Sequence, residues 1–298
     1  VASAHWHVLG AGAIGCLFAQ ALHRCGTRVT LVMRAGTHAQ LRPVIVERGD
    51  QSCEVQLPVI AADGPASISH LLVTTKAYDV RDAVAGIAHL LGNNCVVLLL
   101  VNGLGLAEQL AAEWPQLDIY CGTTTEGAYS LGAQHVRHAG RGNTRIGKEG
   151  LSRPPAWFEQ WPRAIDDCVW DAHIQSALWS KLAVNCIINP LTAVHGCRNG
   201  ELGRRRDLAA HVTLLCDEVA SICRAAGFAD IAQQLPSTVA TVIAATADNR
   251  SSMLQDVECG RRTEIDFITG YLLHVADQLD IAAPHNRALL EEMHHRAH

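Results

Sequence analysis

An α/β domain with a largely parallel sheet, followed by an all-helical domain, is the fold class this sequence predicts. Three observations carry that prediction. Short β-like runs alternate with helical ones through the first half of the chain, strand signals stop near residue 172, and 298 residues suffice for two domains that each bury a core. The boundary is therefore expected between a first domain, 1–172, and a second, 173–298.

The elements follow in order. HWHVLG (5–10) is an apolar run stopped by glycine, which suits a buried strand, and AIGCLFAQALHRCG (13–26) is long enough for a helix. RVTLV (28–32) is the second strand. LLVTT (71–75) leads to a helix over YDVRDAVAGIAHLL (78–91), CVVLLLV (95–101) to one over GLAEQLAAEW (105–114), and DIYCG (118–122) closes the series. Near-continuous apolar strands separated by helices imply a sheet covered on both faces. GAYSLGAQHVRHAGRGNTRIGKEG (127–150) is glycine-rich and alternating, so it predicts antiparallel strands at a sheet edge. RPPAWFEQWPRAI (153–165) predicts a short proline-flanked helix and DDCVWD (166–171) a last strand. Helical segments are then expected over 173–196, 206–227, 231–249 and 261–279.

Composition removes several classes of function. The net charge of −5 leaves no basic footprint for nucleic acid. With 49% hydrophobic and 18% charged residues the chain reads as a soluble globular protein, and no run reaches the roughly 18 uncharged apolar residues of a membrane span. Residues 8–22 are apolar enough for a signal peptide, but Gly10, Gly12 and Gly15 interrupt them and no basic leader precedes them. Eleven cysteines without a CxxC pair suit small buried hydrophobes in a reducing, cytoplasmic setting. The histidine pair His294 and His295 lacks the partners and spacing of a zinc site, so no metal is expected.

GAGAIG, residues 10–15, is a full GxGxxG placed after a predicted strand and at the start of a predicted helix. Gly10 permits a tight turn, Gly12 lets backbone approach a pyrophosphate, and Gly15 lets the helix pack on the strand. Ala11, Ala13 and Ile14 complete a loop whose helix N-terminus favours negative charge. A dinucleotide site follows. About 20 residues on, where an NAD-specific domain places an acid, stands Arg34. A guanidinium cannot accept from a ribose hydroxyl but can fork onto a 2′-phosphate, which favours NADPH. Lys76, Asn102 and the turn GTTTEGA (122–128) stand at strand ends, where ligands of open α/β sheets gather.

WSKLAVNCIINP (179–190) interrupts an apolar run with Lys181, Asn185 and Asn189 at four-residue steps, so the three share one helical stripe. A cation above two amides suits a small anionic, hydroxylated ligand. Pro190 should kink or relax the helix there. NRSSMLQD (249–256) and RRTEIDF (261–267) add Ser251, Ser252 and Glu264. A ketone that receives hydride needs a proton or a cation at its oxygen; Lys181 is the candidate, and Glu264 could hold and orient it. Serines near Asn249 could equally end a helix, and Glu264 could be an ordinary exposed acid.

The motifs GAGAIG, TTKAYDV, VNGLG, GTTTEGA, LWSKLAVNCIINPLTAVHGCRNGEL, NRSSMLQDV and RTEIDFITGYL together resemble, in order and spacing, the ketopantoate reductases. The resemblance spans nearly the whole chain, and the lysine-helix motif is its specific part. It implies a Rossmann-type NADP-binding domain followed by an all-α domain like the C-terminal domain of 6-phosphogluconate dehydrogenase. It also implies NADPH-dependent reduction of 2-dehydropantoate to (R)-pantoate, in pantothenate and coenzyme A biosynthesis. Carried over by residue, Lys181 is the implied proton donor. Asn185, Asn189, Asn199 and Ser252 are implied substrate contacts, with Asn102, Asn249 and Ser251 beside them. The 10–15 loop, Arg34, Lys76, Asn102 and Ala128 are implied cofactor contacts, and Glu264 an acid near both the nicotinamide ribose and the lysine. The implied partner is a small molecule, with neither nucleic acid nor membrane, for a monomer or homodimer. Two rivals are a reductase of another 2-oxo acid and a protein that binds NADPH without turnover.

Overall fold

The structure is a computed structural model and describes residues 4–38 and 41–296. The chain divides into two compact units. The first runs to Val101 and resumes over Leu106–Ile174; the second comprises Asn102–Gly105 and the chain from Gln175 onward.

In the first unit β1 (His5–Leu9) lies between β2 (Arg28–Met33) and β5 (Ile68–Val73), parallel to both. The parallel run continues through β6 (Leu91–Leu99) to β7 (Asp118–Thr124). α1 (Ala13–Arg24) connects β1 to β2, α2 (Val80–Ile87) β5 to β6, and α3 (Leu106–Glu113) β6 to β7. These are the elements that the alternation predicts. α1 buries eight consecutive residues, Gly15 to Leu22, because strands lie over it as well as under it. Gln20, polar among them, is satisfied on both sides, with Nε2 donating to the Cys53 carbonyl at 2.6 Å and Oε1 accepting from Arg48 at 3.0 Å.

The covering strands include a hairpin, β3 (Leu41–Arg48) and β4 (Gln51–Ala61), where the sequence pattern assigns no element. Pro43 and Pro58 speak against strands in the sequence. In the fold each sits where pairing is on one side only, since β9 (His135–Gly140) pairs with β3 from Ile45 onward and β2 pairs with β4 from Val59 onward. The glycine-rich stretch pairs antiparallel between β8 (Gly127–Gly132) and β9 and between β10 (Thr144–Gly147) and β7, as expected, but β9 joins β3 in parallel, and the stretch serves both ends of the sheet. β8 and β9 extend it beyond β3, while β10 lies at the other end, with β11 (Cys168–Trp170) parallel outside it. Turn residues announce such strands but do not say which partner they find. The proline-flanked segment forms a 3-10 turn and α4 (Trp161–Ala164), which bring Trp157 and Trp161 edge-on to the buried Trp6, with ring centroids 5.3 and 5.2 Å away.

The second unit is helical and built around α5 (Ile174–His195). By length and composition α5 could cross a membrane, yet 78% of its most apolar window is buried inside the protein, which makes it a core helix. α6 (Glu201–Arg204), α7 (Arg206–Ala225) and α8 (Ala229–Ala245) follow, and the residues buried with α5 include Leu215, Val219 and Ile222 of α7 and Leu235 and Val239 of α8. α9 (Ser252–Glu258) and α11 (Pro284–Arg296) go beyond the expected segments. Seven residues are too few to display a 3.6-residue period, and α11 mixes histidine and charge through its sequence. The carboxylate of Glu218 on α7 accepts the backbone N–H groups of His285 and Asn286 at 2.8 and 2.9 Å and so caps α11. The segment expected as one helix over 261–279 is irregular to Glu264, passes through a π-helical turn over Asp266–Gly270, and becomes α10 (Tyr271–Gln278).

Candidate active site

In the first unit the loop from Gly10 to Gly15 joins β1 to α1, and each of its glycines has a separate reason to lack a side chain. Gly10 has φ +109°, and a Cβ there would stand 2.5 Å from the Thr75 nitrogen. A Cβ on Gly15 would stand 2.0 Å from the Gly10 carbonyl oxygen, so that glycine lets the helix approach the turn. Gly12 differs: a Cβ there would meet no atom of the protein within 4 Å. Its bareness serves nothing inside the fold and leaves a cradle for a group approaching from outside. Gly12 is also the N-cap of α1 and supplies no side-chain cap, and no acid occupies the first turn. Backbone donors with positive dipole and no competing carboxylate fit a pyrophosphate.

Thr74, which sequence reasoning missed, holds this turn: its hydroxyl donates to the Gly10 carbonyl at 2.7 Å. A threonine in the strand-end run VTT carries no signal of that contact, which spans 64 positions. Arg34 is exposed directly after β2, in a turn closed by the Thr37 N–H onto the Arg34 carbonyl at 3.2 Å. Gly36 in that turn has φ +75° and donates its N–H to the Asp63 carboxylate. Lys76 follows β5 and precedes a 3-10 turn, half-buried. Ala128 lies on β8 and packs against the same core as Ala11, Ala13 and Ile14 of the glycine loop.

In the second unit Lys181, Asn185 and Asn189 descend α5 as the spacing predicts; the first two are half-buried and Asn189 is buried. The helix continues through Pro190 to His195. Two residues beyond, the Thr192 hydroxyl reaches the carbonyls of Ile188 and Asn189 at 2.8 and 2.9 Å, supporting the backbone beside the proline. Burial drives the Lys181 pKa down to about 8, against an opposing pull from the negative charge of Glu264. Glu264 is 4% exposed and accepts from the Asn102 side-chain amide at 3.0 Å. Lys181, Glu264 and Asn102 are thus brought together, although 162 positions separate Asn102 from Glu264.

Asn102 reaches this group because VNGLG folds with the helices. Gly103 and Gly105 have φ +86° and +88°, and Cβ atoms there would crowd the Phe267 carbonyl at 2.4 Å and the Tyr271 ring at 3.0 Å. The Leu104 N–H donates to the same Phe267 carbonyl at 3.2 Å. That carbonyl lies in the π-helical turn after Glu264, a kind of local irregularity often found at functional sites.

The remaining candidates divide. Ser252 and Asn249 are exposed. Ser251 is buried and caps α9, its Oγ accepting the Leu254 N–H at 3.0 Å. The serines therefore begin a helix, where the sequence left open that they end one. Asn199 is buried and donates from its amide to the Thr246 hydroxyl at 2.8 Å, while its backbone N–H meets the Asn249 carbonyl at 3.1 Å.

A glycine turn open to a pyrophosphate, and a lysine beside a buried acid, define the class: dinucleotide-dependent oxidoreductases. Comparison with known proteins narrows this. Residues 6–150 match the family model described as Ketopantoate reductase PanE/ApbA, and residues 173–297 match Ketopantoate reductase PanE/ApbA C terminal. The 2-dehydropantoate 2-reductase of Vibrio cholerae serotype O1 is 36% identical over 288 residues, which is 96% of this chain and 95% of that relative. The chain belongs to the ketopantoate reductase family. A PanE/ApbA family ketopantoate reductase from Ralstonia eutropha JMP134 has a similar structure, with TM-score 0.85 and 26% identity over 98% of both chains. D-mandelate dehydrogenase, solved with NADH and anilino(oxo)acetate, has TM-score 0.87 and 22% identity over 98% of both chains; that likeness is one of fold.

Proposed function

We propose that this chain reduces 2-dehydropantoate to (R)-pantoate with NADPH, and that Lys181 gives the proton to the oxygen at C2. The carrying observation is the Lys181 ammonium, whose burial brings its pKa down to about 8 while Glu264 keeps it from falling further. An acid so poised is charged at neutral pH and can still release its proton, which is the balance a general acid requires. The membership of the family supports the substrate, and the cradle at Gly12 supports the dinucleotide.

When bound, the cofactor supplies hydride. Gly10 to Gly15 would hold its pyrophosphate, Arg34 its 2′-phosphate, and Lys76, Asn102 and Ala128 further parts of it. Glu264, fixed by the Asn102 amide, keeps an anionic partner beside Lys181. Asn185, Asn189 and Ser252 offer amide and hydroxyl groups to the substrate carboxylate and terminal hydroxyl. Ser251, whose hydroxyl already serves Leu254, acts on the substrate through the loop it holds, while Asn199 donates to Thr246 and keeps a buried amide oxygen with no partner among the described residues.

The test is NADPH oxidation with a panel of 2-oxo acids that includes ketopantoate and phenylglyoxylate. Turnover is expected to be highest on ketopantoate. Preference for an aryl 2-oxo acid would transfer the reading to the activity of the mandelate dehydrogenase neighbour, and binding of NADPH with no turnover on any acid would remove it.

A further inference from the structure

Thr192 and Ser251 are both buried, at 0% and 6% exposure, and their hydroxyl oxygens stand 2.7 Å apart across 59 positions of sequence. Neither hydroxyl faces solvent, but each adjoins a residue read as a substrate contact. Thr192 donates to the carbonyl of Asn189, the last amide of the lysine stripe. Ser251 begins α9 by accepting the Leu254 N–H, immediately before the exposed Ser252. We propose that the Thr192–Ser251 pair is a positioning bridge that sets the spacing between Asn189 on α5 and Ser252 at the start of α9, and so the fit of the substrate between them.

Three features support this. First, Pro190, next to Asn189, brings no N–H to the helix ladder, so α5 lacks one backbone bond in the turn that carries Asn189. The Thr192 hydroxyl, two residues on, supports the carbonyls of Ile188 and Asn189 and meets Ser251 with the same oxygen. Second, the chain preceding α9 is irregular, and its other end is tied to the 198–200 turn: the Arg198 guanidinium donates to the Asp248 carbonyl, the Asn199 N–H to the Asn249 carbonyl at 3.1 Å and the Gly200 N–H to the Ala247 carbonyl at 3.0 Å. The side chain bond from Asn199 reaches Thr246, ahead of that stretch. Ser251 ties the Asn249–Ser252 segment directly to α5, where the other bonds tie it to the 198–200 turn. Third, a buried hydroxyl pair is costly to leave half-made, which makes its geometry exacting. The proposal rests on the reading of Asn189 and Ser252 as substrate contacts.

The variants are Thr192→Val, which removes the hydroxyl at nearly equal volume, and Thr192→Ser, which retains it. Thr192→Val is expected to raise KM for ketopantoate about tenfold, the scale of one lost hydrogen bond, with KM for NADPH changed by less than about twofold. Thr192→Ser should restore most of that loss, and Thr192→Ala serves if the valine variant does not fold. Equal ketopantoate KM in wild type and the valine or alanine variant would overturn the bridge. If wild type itself fails to turn over ketopantoate, the functional reading has failed, and amide hydrogen exchange still tests the bridge. Faster exchange at residues 252–255 in Thr192→Val supports it; unchanged exchange there overturns it.

Discussion

If Lys181 is the proton donor, activity should decline at a pH set by its burial. A lysine of ordinary pKa stays charged well beyond pH 9, whereas burial brings Lys181 to about 8. With that value roughly nine-tenths of the enzyme carries the proton at pH 7 and about one-tenth at pH 9, so kcat/KM on ketopantoate should fall about tenfold between them. The quantity to measure is kcat/KM, because it reports groups of the free enzyme, and the substrate carboxylate does not titrate in this window. Glu264 supplies the adjustable term: its charge raises the Lys181 pKa, so Glu264→Gln should move the midpoint below 8. Lys181→Ala should lower kcat by about 10² to 10⁴, with the alkaline fall abolished in the residual activity. A wild-type profile flat to pH 9.5, or a Glu264→Gln midpoint shifted upward, would refute the argument from burial and charge. Near-normal kcat in Lys181→Ala would remove the donor assignment itself.

The same shift bears on stability. The folded pKa of Lys181 lies below its unfolded value, so the unfolded chain binds the extra proton more readily between about pH 8 and 10.5, and this residue's contribution to stability should rise across that window. Lys181→Met should flatten that rise in denaturant titrations at pH 7.5 and 9.5. Arg34→Ala should weaken NADPH about tenfold or more while leaving NADH nearly unchanged, as read by KM for each; equal losses would sink the 2′-phosphate assignment. Gly12→Ala should keep Tm and lose NADPH affinity, because its Cβ meets no protein atom, whereas Gly15→Ala should lower Tm through its clash with the Gly10 carbonyl. If both variants lost Tm alike, the ligand-facing role of Gly12 would be wrong.

What could be read from the chain directly were the features with a local cause. Strand, glycine turn and helix succeed one another over residues 5–26, so the dinucleotide loop is visible as GxGxxG in context, and the lysine stripe follows from four-residue spacing on one helix. The strands β3 and β4 were hidden because Pro43 and Pro58 are penalised locally, while their one-sided pairing is a property of the assembled sheet. The π-helical turn after Glu264 was hidden because nothing in RTEIDFITGYL distinguishes it from an α-helical period.

Within the site the division is the same. Residue type and spacing determined which groups could do the chemistry: the glycine loop, Arg34, Lys181 and its asparagines, and Glu264. Tertiary structure decided how those groups are tuned and tied. It desolvates Lys181, sets the Asn102 amide on Glu264 across 162 positions, and turns Ser251 inward onto Thr192 while Ser252 faces out. The reason is physical: periodicity specifies the face of a helix, but burial, charge and hydrogen-bond partners depend on what the rest of the chain packs against that face.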